Sequence, residues 1–261
     1  MISPSALIIA GSDSGAGAGM QADLKTFTAH KIYAATVITA ITAQNTLGVD
    51  EVFNIPLSSI EAQLKSVSKD LKISLIKIGM LSNKNIIDLI SNCLEKYFPN
   101  IPVILDPVMV AKGGHLLLST DAIETLKKKL FPKSYLITPN LPEAEKIINT
   151  EITNSKDMEK HIQEFYKMNV KNVLLKGGHL NSKKIIDILQ TDSEVYKFIS
   201  SKIESRNTHG TGCTLASAIA CNLFKGFNLY DSVKNARAFV IKGIKSSKVI
   251  GRGHSPLNHF L

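Results

Sequence analysis

Between Arg206 and Asn222 the sequence passes from polar residues through Gly210-Thr211-Gly212 and Cys213 into the small apolar run Leu215-Ala216-Ser217-Ala218-Ile219-Ala220. The spacing of Ala, Leu and Ile predicts a helix that begins at about Gly212. Glycine permits the tight path into it. The first amides of a helix lack internal partners and sit at the positive end of its dipole, so this turn is a candidate seat for phosphate. A thiol at such a terminus, here Cys213, is expected to ionise more readily than usual. Taken alone, the same residues also fit a plain tight turn followed by an inert buried cysteine.

Other residues could supply the rest of a phosphoryl-transfer site. Asp106 follows the apolar run Val103-Ile104-Leu105, and Glu143 lies in Thr138-Pro139-Asn140-Leu141-Pro142-Glu143. Two carboxylates at strand ends can hold magnesium through water beside substrate phosphates. Singly, Asp106 also reads as an Asp-Pro turn and Glu143 as a residue that steadies a helix start. Lys176 ends Val173-Leu174-Leu175 and precedes two glycines, a placement from which it can reach phosphate. Gln44 and Asp23 could hydrogen-bond a polar ring, with Met80 against its face. The Gly11 to Gly19 loop lacks both the Gly-x-Gly-x-x-Gly spacing and a Walker lysine, so it is read as a flexible loop beside a pocket, and it also fits a plain strand-to-helix turn. His209 and His179 lack metal-ligand spacing and are read as local hydrogen-bond partners.

Short apolar strands alternate with amphipathic helices, which predicts a parallel sheet covered on both faces. Strands are expected at 7–10, 37–41, 75–78, 102–105, 135–137 and 173–175. Helices are expected at 20–30, 56–72, 84–98, 120–131, 142–148, 154–168 and 229–246, besides the one at Gly212. Segments 185–189 and 195–200 are close enough to form an antiparallel edge hairpin. In such sheets ligands sit at the carboxyl ends of the strands, which gathers all the candidate turns along one edge. The 261 residues show no linker or repeat, so a single domain spanning 1–261 is expected. The net charge is +9, but the lysines are spread over helix faces and aromatics are 6% of residues, which argues against nucleic acid as a partner. Three scattered cysteines, no leader and no membrane-length run point to the cytoplasm with no membrane partner.

Together the segments resemble the hydroxymethylpyrimidine/phosphomethylpyrimidine kinases of thiamin biosynthesis, in the ribokinase-like superfamily. The resemblance runs in order from Ala10-Gly11-Ser12-Asp13-Ser14-Gly15 through Thr42-Ala43-Gln44-Asn45-Thr46, Lys77-Ile78-Gly79-Met80-Leu81 and Asp106-Pro107-Val108-Met109-Val110-Ala111-Lys112. It continues through Thr138 to Ala144, Lys176-Gly177-Gly178-His179 and His209 to Thr214, and closes at Gly251 to His259. It implies a three-layer α/β/α fold with a mostly parallel central sheet, MgATP as donor, two successive phosphorylations and a homodimer. Gly11, Asp23, Gln44, Met80 and Val108 match the pyrimidine side. Asn140 and Glu143 match a magnesium motif, with Asp106 nearby, and Lys176, Thr208, Thr211 and the Gly210–Gly212 turn match the phosphate side. Cys213 matches the proposed general base, alongside Gly210 and Gly212 as amide donors and Lys176 as catalytic cation. Where the family loop often has three glycines, this chain has Ala16, which is expected to stiffen the loop. A pyridoxal kinase or a dual-substrate enzyme is the nearest alternative, and a catalytically silent sensor on the same fold is a more distant one.

Overall fold

The structure is a computed structural model that describes residues 2–110 and 118–261. Ala111 and Lys112 of the motif after Asp106 lie outside the described residues. Leu7-Ile8-Ile9-Ala10 forms the middle of strand β1 (Ser5–Asp13), which is buried on both faces. The other strands are β2 (Ala34–Gln44), β3 (Val49–Asn54), β4 (Ile73–Ile78), β5 (Val103–Leu105), β6 (Leu136–Ile137), β7 (Val173–Leu175), β8 (Lys184–Gln190) and β9 (Val195–Ser201). They form one sheet in the order β3-β2-β1-β4-β5-β6-β7-β8-β9. The pairings from β2 to β7 are parallel, whereas β3, β8 and β9 join antiparallel at the two ends.

The helices are α1 (Gly19–Ala29), α2 (Leu57–Asp70), α3 (Lys84–Tyr97), α4 (Thr120–Lys129), α5 (Leu141–Ile148), α6 (Ser155–His161), α7 (Thr211–Phe224) and α8 (Leu229–Lys245). Side chains alternate across a strand, so β1 feeds two cores. Leu7 and Ile9 pack with Ile60 of α2, Ile86 of α3, Leu126 of α4 and Ala144 of α5. Ala6, Ile8 and Ala10 pack with Phe27 of α1, Ala216 and Ile219 of α7 and Val233 of α8. The result is the expected three-layer α/β/α arrangement. Small residues on α7 let that helix lie close to the sheet, and its buried polar groups are partnered. Ser217 donates to Asp23 at 2.8 Å, and the Thr214 hydroxyl lies 2.9 Å from Nε2 of His259. Among the described residues no helix is long and apolar enough to cross a membrane.

Three local features differ from expectation. β3 is an added edge strand with a partly exposed, polar sequence, so it lacks the alternation that marks a half-buried strand. The single helix expected over 154–168 is α6 followed by a 3₁₀ stretch, Ile162–Met168, and nothing in the local sequence accounts for the tightening. The glycine loop is fastened rather than loose. Asp13 at its base accepts from the amides of Gly15, Gly17 and Ala18 at 2.8–3.0 Å.

Within this loop Ala16 has φ of +56°, a left-handed conformation that costs an L-residue roughly 1–2 kcal/mol. Ala16 therefore strains the loop as well as restricting it. Ala16→Gly relieves the strain but gives back about 0.4–1 kcal/mol of unfolded-state entropy. The net gain should be about 0–1.6 kcal/mol, a rise of up to about 6 °C in Tm for a chain of this size. A thermal melt that shows a fall instead would mean the alanine methyl makes a packing contact worth more than its strain.

Candidate active site

The carboxyl ends of the parallel strands open into one cavity of about 800 Å³. The structure brings nearly all the candidate residues to its wall. Gly11 lies near the end of β1, Gln44 ends β2, and Gly79 and Met80 follow β4. Asp106 and Val108 follow β5, Asn140 and Glu143 open α5, and Lys176 follows β7. Thr208, Gly210, Thr211, Gly212 and Cys213 complete it at the start of α7. Asp23 is the exception. It is fully buried below the cavity floor, where Lys77 contacts its Oδ2 at 2.6 Å and Ser217 donates to its Oδ1 at 2.8 Å. Its carboxylate is occupied by protein partners rather than turned to the cavity.

Gly210 is the N-cap of α7, with φ of +78°. A Cβ there would overlap the Gly17 carbonyl oxygen, so the turn and the glycine loop pack backbone to backbone. His209 joins them as well. Its Nε2 lies 3.1 Å from Oδ2 of Asp13 and 3.3 Å from the Gln44 amide nitrogen, in keeping with a local hydrogen-bonding role. Burial would raise the Asp13 pKa, but the bonds from His209 and from the Ala18 and Gly15 amides outweigh it and hold the carboxyl below its usual range. The chain's last segment supports the turn from behind. The amide of His209 donates to Ser255, and that of Leu257 donates to His209.

Two Asp–Lys pairs lie near Cys213: Lys77 and Asp23, 2.6 Å apart and fully buried, and Lys176 and Asp106, 2.9 Å apart. Thr138 also donates to Asp106 at 2.9 Å. Burial opposes the Asp106 charge, but Lys176, Lys77 and Thr138 prevail and lower its pKa.

The expectation of an acidic thiol fails. Burial pushes the Cys213 pKa up to about 12, and the charges of Asp23 and Asp106 add to this. Lys77 and the Gly19 amide at the start of α1 pull the other way but do not overcome it. Desolvation outweighs the helix terminus. Cys213 therefore stays a neutral thiol near neutral pH. The thiolate fraction grows about tenfold per pH unit below the pKa, so at pH 8 it is about a thousandfold below that of a thiol at the reference value of 9.0. Higher intrinsic nucleophilicity returns part of this loss. Iodoacetamide should label Cys213 at pH 8 at least ~10-fold more slowly than free cysteine, with the rate still climbing at pH 10. Peptide mass mapping separates it from the buried Cys93 and Cys221. A rate that levels off by pH 8 would contradict the neutral thiol.

Asn140 and Glu143 form a reciprocal capping box on α5, with bonds of 3.0 and 2.8 Å. Burial, with the like charge of Asp106, pushes the Glu143 pKa up to about 7, although Lys176 opposes it. Two carboxylates thus share one ammonium, and a hard cation would relieve the excess. Among the described residues no group of three or more His, Cys, Asp or Glu could bind a metal by itself. The donor set suits an ion that keeps its waters and arrives with phosphate.

The sequence reading overlooked Asp13 and Lys77 as parts of the site. The signals were present: a carboxylate directly before a glycine run, and a lysine inside the apolar strand Ile73–Ile78, where a charge needs a partner.

The start of α7, Cys213 and the Lys176–Asp106 pair thus share the wall of one cavity at the carboxyl ends of a mostly parallel sheet. A family model described as phosphomethylpyrimidine kinase matches residues 13–258. The chain belongs to the phosphomethylpyrimidine kinase family, and its class is that of a kinase. It is 43% identical to the hydroxymethylpyrimidine/phosphomethylpyrimidine kinase of Haemophilus influenzae over 97% of this chain and 96% of that one. It is 44% identical to the thiamine biosynthesis bifunctional protein ThiED of Geobacter sulfurreducens over 98% of its own length, but spans only 52% of that protein. Among solved structures, phosphomethylpyrimidine kinase from Clostridium difficile superposes with a TM-score of 0.81 at 40% identity, covering 94% of this chain and all of that one. An ADP complex of Bacillus subtilis pyridoxal kinase superposes with a TM-score of 0.90 at 32% identity, covering 99% and 98%.

Proposed function

We propose that this chain, as a single cytoplasmic kinase domain, transfers phosphoryl from MgATP to 4-amino-5-hydroxymethyl-2-methylpyrimidine and then to the resulting monophosphate, in thiamin biosynthesis. The observation that carries the reading is the convergence of the α7 start, Cys213 and the Lys176–Asp106 pair in one cavity. Gln44, Met80, Val108 and Gly11 hold the ring. Asp23 acts from below through Lys77. The amides from Gly210 to Cys213, with Lys176, hold the moving phosphoryl group, and Asn140, Thr208 and Thr211 border the donor's phosphates. Asp106 and Glu143 would hold magnesium. The ion would supply charge neutralisation on the phosphate oxygens, as such transfers require. The neutral thiol of Cys213 orients the acceptor hydroxyl. The bond from acceptor oxygen to phosphorus forms as the bond to ADP breaks, and the alcohol proton leaves to solvent with the phosphorylated product. A homodimer belongs to the proposal. Ile41 and Phe53 pair across β2 and β3, both are exposed, and they suit burial against a second copy.

Mass analysis of products from the pyrimidine alcohol and MgATP should show monophosphate first and diphosphate later. The second reading is a pyridoxal kinase or a dual enzyme, favoured by the close superposition on the pyridoxal kinase fold. Comparison of kcat/KM on the two alcohols decides between them. A preference for pyridoxal would replace the pyrimidine reading.

A further inference from the structure

Lys77 is given no direct contact with ring, donor or metal above, yet it lines the cavity with its side chain completely enclosed. A lysine ammonium has three donors. Among the described residues one partner takes a bond from it, Asp23 at 2.6 Å. Gly79 lies directly above: a Cβ at that glycine would sit 3.0 Å from the Lys77 nitrogen. The lack of a side chain there leaves the ammonium close to the cavity beside Met80 and Gly11. Burial works against the charge on Lys77, but its pairing with Asp23 first, and the nearby Asp106 after it, more than offset this, so the lysine stays protonated.

The cations that line the cavity among the described residues are Lys77, Lys146, Lys176, Lys202 and Arg237. Of these, Lys77 and Lys176 are the two whose charge reaches the Asp106 carboxylate. Lys176 is already bonded to Asp106 and faces Glu143. Arg237 is paired with Asp187. Lys176 is assigned above to the moving phosphoryl group, so Lys77, next to Gly79, is the cation left for the acceptor.

The two proposed acceptors differ in charge. The first is a neutral alcohol and the second a phosphate monoester, and bringing that anion up to the negative donor requires a positive partner at the acceptor end. We propose that the Lys77 ammonium, held in place by Asp23 and Ser217, is a specificity-determining contact for the phosphorylated acceptor, so that one cavity can serve a neutral and an anionic substrate in turn. The inference rests on the two-step kinase reading. With the alcohol bound, Asp23 balances the lysine. With the monophosphate bound, the lysine's charge, which no side chain at Gly79 screens, balances that of its phosphate. One of that phosphate's oxygens attacks the donor's terminal phosphorus, the bond to ADP breaks, and no proton needs to be removed from a fully ionised acceptor.

The test compares the alcohol and the monophosphate as substrates, and measures binding of each without nucleotide by calorimetry. The variants are Asp23→Asn with Lys77→Gln, which removes both charges while keeping donors and acceptors in the buried cluster, and Asp23→Asn alone. Thermal melts establish that each is folded. The double variant should lose at least ~10-fold more kcat/KM on the monophosphate than on the alcohol, with a matching loss in monophosphate affinity. Asp23→Asn alone leaves the lysine uncompensated and should shift the preference the other way, toward the monophosphate. These opposite shifts are not expected from a purely structural ion pair. Equal losses on both substrates in the double variant would overturn the assignment. If the double variant does not fold, an unchanged or reduced monophosphate preference in Asp23→Asn overturns it. If the unmodified protein phosphorylates neither pyrimidine, the kinase reading falls first and takes this contact with it; a normal two-step enzyme with no shift in preference removes the Lys77 contact alone.

Discussion

Gly210→Ala should slow phosphoryl transfer by about 10²–10³-fold, the loss typical when a backbone donor of an oxyanion-type site is displaced. Two effects act together. Gly210 has φ of +78°, which an alanine adopts only at a cost of roughly 1–2 kcal/mol. The added Cβ would also overlap the Gly17 carbonyl oxygen, so the α7 turn and the glycine loop must part. That movement carries the first amides of α7 away from the phosphate they are proposed to hold. The parting also disturbs the contact of His209 with Asp13, to which the glycine loop is tied. Steady-state kinetics with a parallel thermal melt check both parts. A folded variant with turnover within about threefold of normal would show that the turn does not seat the transferred group.

Cys213→Ala should slow the first phosphorylation by about 100-fold, at the low end of what a general base contributes. The low end is expected because the pKa of about 12 leaves the thiol protonated, able to orient a hydroxyl but poorly able to take its proton. Cys213→Ser keeps a small hydrogen-bonding group and should recover most of the rate. The second phosphorylation starts from an acceptor that is already an anion and should suffer less in both variants. Pyrimidine affinity should change little. If serine is as damaging as alanine, or both steps fall equally, orientation by residue 213 is not its role. The double variant Asp23→Asn with Lys77→Gln should give the reverse profile, weaker on the second step than on the first.

The parts legible in the sequence were those whose physics is local. Alternation of buried strands with amphipathic helices gave the layered sheet, and the Gly210–Gly212 turn gave the start of α7 to within a residue. Strand ends marked the cavity wall, because the turns after β1, β2, β4, β5, β6 and β7 all reach it. What stayed hidden depended on depth and on partners distant in the chain. Asp23 reads as a polar residue on a helix until Lys77 and Ser217 are seen to enclose it. Cys213 reads as an acidic thiol because a helix terminus is visible in sequence and desolvation is not. The polar edge strand β3 lacked a pattern altogether. The glycine loop looked flexible because the hydrogen bonds of Asp13 to Gly15, Gly17 and Ala18 follow from a fold-back that composition does not specify.

The most direct test is a crystal structure of the protein with a non-hydrolysable ATP analogue, magnesium and the pyrimidine alcohol. The account predicts the terminal phosphate against the backbone nitrogens of residues 210–213, Lys176 beside it, and the Cys213 sulfur within hydrogen-bonding reach of the hydroxymethyl oxygen. A triphosphate lodged anywhere else, or a sulfur turned away from that oxygen, would contradict it.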